Sequence, residues 1–280
     1  MNTISLYKTT NCTNCTNFDA QLFVKFVKFV VKKMSLYKLN LICYLLKMKA
    51  IHIFQFRHFA IRQGQCAMKV GTDGTLLGAW ASVPEGGCAD VTRILDIGTG
   101  TGLIALMMAQ RFPRAVVTGI DIDGCAVAQA AANVEASPFA GRVTMVRGDV
   151  RTTDFGHQFD AIVCNPPFFA NSLESPDARR TLARHAVTLS LRELMSRCRC
   201  LLADGGELSV VTPCDSRSTL ESEAFLSGFF KVRQWAVRTT AAKAPRRLLT
   251  AFRKHPAQTE VAEIVIGSEK YFELTKDFYL

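Results

Sequence analysis

Between residues 91 and 212, short aliphatic runs alternate with longer apolar stretches of helical period. Ile94, Leu95 and Ile97 lead, after a glycine-rich stretch, into Leu103 to Arg111, and Val116 to Asp121 leads into the Ala-rich stretch Gly124 to Glu135. Val143 to Asp149 and Phe159 to Cys164 follow, then the helical period of Leu189 to Leu202 and the run Glu207 to Thr212. The short runs predict strands covered on both faces; the long ones predict helices, the first stopped by Pro113 and the second by Pro138. Upstream, the alternation Phe54 to Ile61 predicts a strand or hairpin, Asp73 is expected to cap a helix starting near Gly74, and Pro84 to Gly87 is a linker. Downstream, Ser216 to Phe225 reads as helix, and Phe229 to Val237 and Leu248 to Phe252 read as strands. The loop joining those two is too short for a helix, so they are expected to pair antiparallel at the sheet edge. Val261 to Ile266 is a candidate further strand, and the aromatic tail Tyr271 to Leu280 is expected to dock on the domain.

The chemistry gathers where these strands end. Asp96 precedes Gly98-Thr99-Gly100-Thr101-Gly102, a G-x-G-x-G spacing rather than the G-x-G-x-x-G that seats a pyrophosphate. An anion at Asp96 repels a pyrophosphate and suits a ligand carrying an ammonium or sulfonium charge. Asp121 ends the next strand 19 residues after Gly102, where a ribose-binding acid stands in a βαβ unit. Asp149 ends the third, and the fourth runs into Asn165-Pro166-Pro167-Phe168. Ligands of open α/β sheets bind beyond the carboxyl ends of the strands, so Asp96, Asp121, Asp149 and Asn165 are expected to converge there. The exposed N–H groups at the start of the helix near Gly74 would suit a ligand carboxylate. Phe169 to Arg184 is polar and basic and follows Asn165 to Phe168, so it is expected to overhang the same crevice.

Charge and cysteine content separate the first fifty residues from the rest. The formal charge is +10, but residues 1–50 hold eight Lys, no Arg and one acid, leaving only +3 on residues 51–280, where 20 Arg outnumber six Lys. Three readings of this Lys-rich extension compete: an amphipathic surface or RNA-binding stretch, with Lys25, Lys28 and Lys32 at helical spacing; a poor secretory signal; or a start codon assigned too early, with Met34 or Met48 nearer the true beginning. Lysines interrupt every apolar run short of the ~18–20 residues that a membrane crossing needs. The ten Cys, with no export signal, point to reduced thiols in the cytoplasm. Cys12-x-x-Cys15 has no second pair, so no metal is expected, and Cys198 and Cys200 are expected on the inner and outer faces of one helix. Two parts result, the extension at 1–50 and one α/β domain at 51–280.

Over residues 54–280 the chain resembles the bacterial tRNA(Val) adenine-N(6) methyltransferases, within the class I S-adenosylmethionine-dependent (SAM) superfamily. The resemblance rests on Met68-Lys69-Val70-Gly71-Thr72-Asp73-Gly74, on Asp96 to Gly102, on Asn165 to Phe168 and on the closing Asp277-Phe278-Tyr279-Leu280. It implies a Rossmann-like α/β fold: a mostly parallel seven-stranded sheet, helices on both faces and an antiparallel edge strand. It also implies that Lys69, Thr72, Asp73, Asp96, Gly98, Thr99, Gly100 and Gly102 hold the methionine end of SAM, that Asp121 takes the ribose and Asp149 the adenine amine, and that Ile122 and Val150 sandwich the cofactor's adenine. Asn165 and Pro166 would accept the two N–H bonds of the target amine, Pro167 would stiffen the turn and Phe168 would stack the extruded base. Exposed cations near the pocket, Arg179, Arg180, Arg184, Lys243, Arg246 and Arg247, are expected to contact RNA phosphates. The expected partner is tRNA, with no membrane and no obligate protein partner. Three alternatives stay open: methyl transfer to a ribosomal RNA guanine, transfer to a release-factor glutamine, and a noncatalytic RNA-binding protein on the same fold.

Overall fold

The computed structural model describes residues 53–64, 70–84, 91–166 and 189–279. The chain divides between residues 51 and 52, and all of the described residues belong to the second part. Lys69, Pro167, Phe168, Arg179, Arg180 and Arg184, with the whole Lys-rich extension, lie outside the described residues.

Six helices and ten strands are present among the described residues. A hairpin of β1 (Ile53–Gln55) and β2 (Ala60–Arg62) precedes α1 (Thr72–Trp80). Then β3 (Arg93–Ile97), α2 (Leu103–Arg111), β4 (Val116–Asp121), α3 (Gly124–Glu135), β5 (Val143–Arg147) and β6 (Phe159–Cys164) follow. The chain continues with α4 (Leu191–Leu201), β7 (Leu202–Pro213), α5 (Arg217–Leu226), β8 (Phe230–Arg238), β9 (Arg247–Arg253), β10 (Glu260–Val265) and α6 (Glu269–Thr275).

The main sheet has eight strands in the order β10-β8-β9-β7-β6-β3-β4-β5. Strands β3 to β7 pair parallel, and the chain reverses its direction of winding between β3 and β6, the switch point where α/β folds leave a crevice. Alternation along the strands builds a core on each face. Ile94, Val117, Ala161 and Val163 pack with α1 and α2 on one side; Leu95, Ile97, Ile162 and Cys164 pack with α4 and α5 on the other. The α4 helix is fixed at its start by a capping box, Ser190 with Glu193, and buries Leu194, Met195, Cys198 and Leu201.

Two details differ from the sequence expectations. The antiparallel strand is internal: β9 pairs antiparallel with both β7 and β8, while β8 and the eighth strand, β10, lie outboard of it. The short β8–β9 connection forces the antiparallel turn, but β9 rather than β8 claims the free edge of β7. Asp73 does not cap α1; the helix begins at Thr72 with Gly71 at the N-cap position and no side-chain cap, and Asp73 sits in the first turn. The aromatic tail does dock. Phe278 is buried, its carbonyl accepts from the Arg57 N–H at 2.8 Å, and Tyr279 stacks on Phe56.

Candidate active site

The turn after β3 is held from below and from the side. Gly98, Gly100 and Gly102 have φ of 69°, 55° and 81°, a region closed to most side chains. Gly98 and Thr99 donate their N–H groups to the Ile120 carbonyl, and Gly100 donates to Asp121 Oδ2 at 2.9 Å. Asp121 Oδ1 accepts from the Asp123 N–H, so the acid expected at the ribose also fastens the turn to the end of β4. Beneath the turn, Asp96 Oδ2 accepts from Thr99 Oγ1 at 2.7 Å and from the Ala105 N–H at 3.1 Å. Asp96 has no exposed surface, and burial pushes its carboxyl up to about 7. It braces the turn from behind rather than bordering the cavity above it.

That cavity, ≈ 310 Å³, is where separate parts of the sequence meet. Its walls are residues 70–74 at the start of α1, residues 98–101 of the glycine turn, Leu103 and Ile104 of α2, Asn165 at the end of β6, and Arg247 at the start of β9. Of the residues singled out in the sequence, it gathers Thr72, Asp73, Gly98, Thr99, Gly100, Asn165 and Arg247. A side chain at Gly74 would place its Cβ 3.3 Å from Leu103 and 3.9 Å from the Asn165 amide nitrogen, which measures how closely α1 approaches β6. Arg247 Nε donates to Asp73 Oδ2 at 2.7 Å across this wall.

The remaining candidates stand outside the cavity. Ile122 is 48% exposed beside Asp121, as a face for a flat ring requires. Val150 is instead buried in the core under α4. Asp149 is engaged by its near neighbour: Arg151 donates to it through Nε and Nη2, the latter at 2.6 Å, and holds its carboxyl below the usual range. Arg151 also reaches Glu193 at 3.1 Å, joining the end of β5 to the capping box of α4. Lys243 and Arg246 are exposed in the β8–β9 loop, consistent with a surface for phosphates, whereas Arg247 is drawn into the cavity wall.

Two residues that shape the site were not singled out in the sequence. A Cβ on Gly119 would stand 2.6 Å from Met145 Sδ and 2.7 Å from Thr99 Oγ1, so its lack of a side chain makes the room Thr99 occupies under the turn. Asn133, fully buried, accepts from the Arg62 N–H and donates to the Arg62 and Thr101 carbonyls, tying the hairpin to the glycine turn. A lone Asn in an Ala-rich helix was the available signal.

The arrangement fits SAM. Among the described residues, and apart from its two chain neighbours, no heavy atom lies within 4 Å of where a Cβ at Gly98 would stand, which leaves that main chain open to a ligand. The uncapped start of α1 offers N–H groups to a carboxylate, and the Asp73 and Asp121 carboxylates suit a cation and a pair of hydroxyls. Among the described residues, no group of three or more His, Cys, Asp or Glu is placed to hold a metal ion, and no helix is long and apolar enough to cross a membrane.

The family model described as methyltransferase small domain matches residues 87–243. A tRNA1(Val) (adenine(37)-N6)-methyltransferase of Porphyromonas gingivalis is 45% identical over 244 residues, covering 81% of this chain and 94% of its own. One of the same name from Bacteroides thetaiotaomicron is 42% identical over 235 residues, covering 81% and 97%. Among solved structures, a predicted O-methyltransferase from Agrobacterium tumefaciens superposes with a TM-score of 0.57 at 18% identity, covering 74% of this chain and 96% of that one, a likeness of fold.

Proposed function

Because the chain belongs to the family of tRNA1(Val) (adenine(37)-N6)-methyltransferases, we propose that its cavity carries methyl transfer from SAM to the exocyclic amine of adenine 37 in a valine tRNA. The observation that carries this reading is the place of Asn165, on the cavity wall between the start of α1 and the glycine turn. Bound SAM supplies a methyl group on a sulfonium, open to attack by a weak nucleophile.

The chain's own residues prepare that nucleophile. An adenine amine shares its lone pair with the ring. Acceptance of its two N–H bonds by the Asn165 side-chain oxygen and the Pro166 carbonyl favours a tetrahedral nitrogen whose lone pair points into the cavity. No base is needed before attack: as the N–C bond forms, the S–C bond of the sulfonium would break and leave a neutral thioether, and the nitrogen then sheds one proton to solvent. The starting N–H groups of α1 would hold the cofactor's carboxylate, Asp73 would face its ammonium, and Asp121 would take the ribose hydroxyls. To accept the adenine amine, Asp149 must share a lone pair that Arg151 leaves open. Lys243 and Arg246 position the RNA backbone from outside.

The test is Asn165→Ala. Calorimetry is expected to show SAM binding within twofold of the parent chain, while turnover on unmodified tRNA falls by about 10²–10³, the scale of removing one oriented group at a reacting centre. Unchanged turnover removes the mechanism.

A further inference from the structure

Arg247 is the cation of the cavity wall, and its position sets it apart from the cofactor side. It opens β9 opposite Pro213 at the end of β7, two strands outward from Asn165 and away from Asp121 and Asp149. Its guanidinium is only partly used. Nε donates to Asp73 Oδ2 at 2.7 Å and Nη1 to the Arg246 carbonyl at 3.2 Å; among the described residues Nη2 has no protein acceptor. The two side chains keep 36% and 30% of their surface in water, and the contact is single rather than forked. A pair this wet and singly bonded gives way readily to a better acceptor. A phosphodiester offers two oxygens to the flat guanidinium fork, the geometry that Asp73 leaves unused.

We propose that Arg247 receives a backbone phosphate of the RNA strand beside the target adenine, and that Asp73 holds the guanidinium in place until the strand arrives. The inference rests on the methyl-transfer reading above and adds a binding residue to it. The cofactor's carboxylate is the rival anion. It would be met by the uncapped start of α1, whereas Arg247 stands on β9, beyond β6 and on the far side of Asn165 from Asp121.

The experiment measures the affinity of the parent chain, Arg247→Gln and Arg247→Lys for an unmodified tRNA transcript at several KCl concentrations, with SAM affinity by calorimetry alongside. Arg247→Gln is expected to weaken tRNA binding about tenfold and to lower the slope of log Kd against log[KCl] by about 0.7–0.9, one phosphate contact. SAM affinity is expected to hold or rise, because Arg247→Gln frees Asp73 for the cofactor's ammonium, and Arg247→Lys restores the slope but only part of the affinity, because a point charge lacks the fork. An unchanged slope in Arg247→Gln overturns the proposal, whether or not the variant is less stable. A tenfold loss of SAM affinity with the tRNA slope intact also overturns it, by assigning Arg247 to the cofactor's carboxylate. A parent chain that binds SAM but never methylates the transcript removes the methyl-transfer reading itself; a parent chain that methylates it while Arg247→Gln keeps its slope removes only this proposal.

Discussion

Asp96 is fully buried and, among the described residues, accepts two hydrogen bonds on one oxygen and none on the other. Its carboxyl is therefore raised from the usual 3.8 to about 7, so the folded chain binds this proton more tightly than the unfolded one. The stability it contributes is full below the ordinary carboxylate value and is lost as pH rises through about 7. Between pH 4 and pH 8 the urea midpoint of the parent is expected to fall relative to that of Asp96→Asn, because the variant lacks this loss; parallel curves would contradict it. Gly119→Ala pushes a Cβ into Thr99 and Met145 and should weaken SAM binding at least tenfold by calorimetry. At this scale the sequence made Gly98, Gly100 and Asn165 legible, because a turn after a strand needs those residue types whatever surrounds it. It did not show that Arg151 engages Asp149 or that Val150 is buried. Whether a strand-end acid faces a ligand or an arginine two residues later depends on a loop conformation that no spacing encodes.

The elements were legible where period and stops agreed: α2 and α3 begin and end where the apolar period and the prolines at 113 and 138 place them. The start of α1 was not, because Asp73 has the residue type of a cap but its carboxylate has a stronger partner in Arg247. The hydrogen-bonded tie between β2 and the glycine turn was also hidden, since it runs through the side chain of Asn133. Asn133→Ala strips partners from the Arg62 N–H and from two carbonyls, and is expected to cost about 2–3 kcal/mol. Amide exchange should then accelerate at Arg62 while Leu95 and Val117 in the central strands keep their protection. Equal acceleration at all three would show that Asn133 supports the whole sheet rather than the hairpin.

Across the whole molecule the sheet keeps its fastening and its chemistry at opposite ends. Glu207, midway along β7 and beside Ala161 near the amino end of β6, accepts from Ser82 at 2.6 Å, from Arg233 at 3.0 Å and from Arg253 at 2.8 Å, and Arg233 lies 3.9 Å over the Trp80 ring. Glu207→Ala leaves two arginines without their shared carboxylate and should cost roughly 3 kcal/mol in urea unfolding, with SAM affinity unchanged. A loss of SAM affinity there would mean that the two ends are coupled. That parallel strands bring Asp121 and Asn165 to one end of the sheet was legible from strand-end chemistry, whereas the place of β9 between β7 and β8 depended on competition for one edge, which local sequence does not record. The crevice at the strand ends is proposed to methylate one kind of amine, and this is tested by supplying methyl-labelled SAM with unmodified tRNA(Val), ribosomal RNA and a release factor and mapping the label by mass spectrometry. N6-methyladenosine at position 37 of the tRNA is the expected product; label on guanine or glutamine, or on nothing, would contradict transfer to adenine.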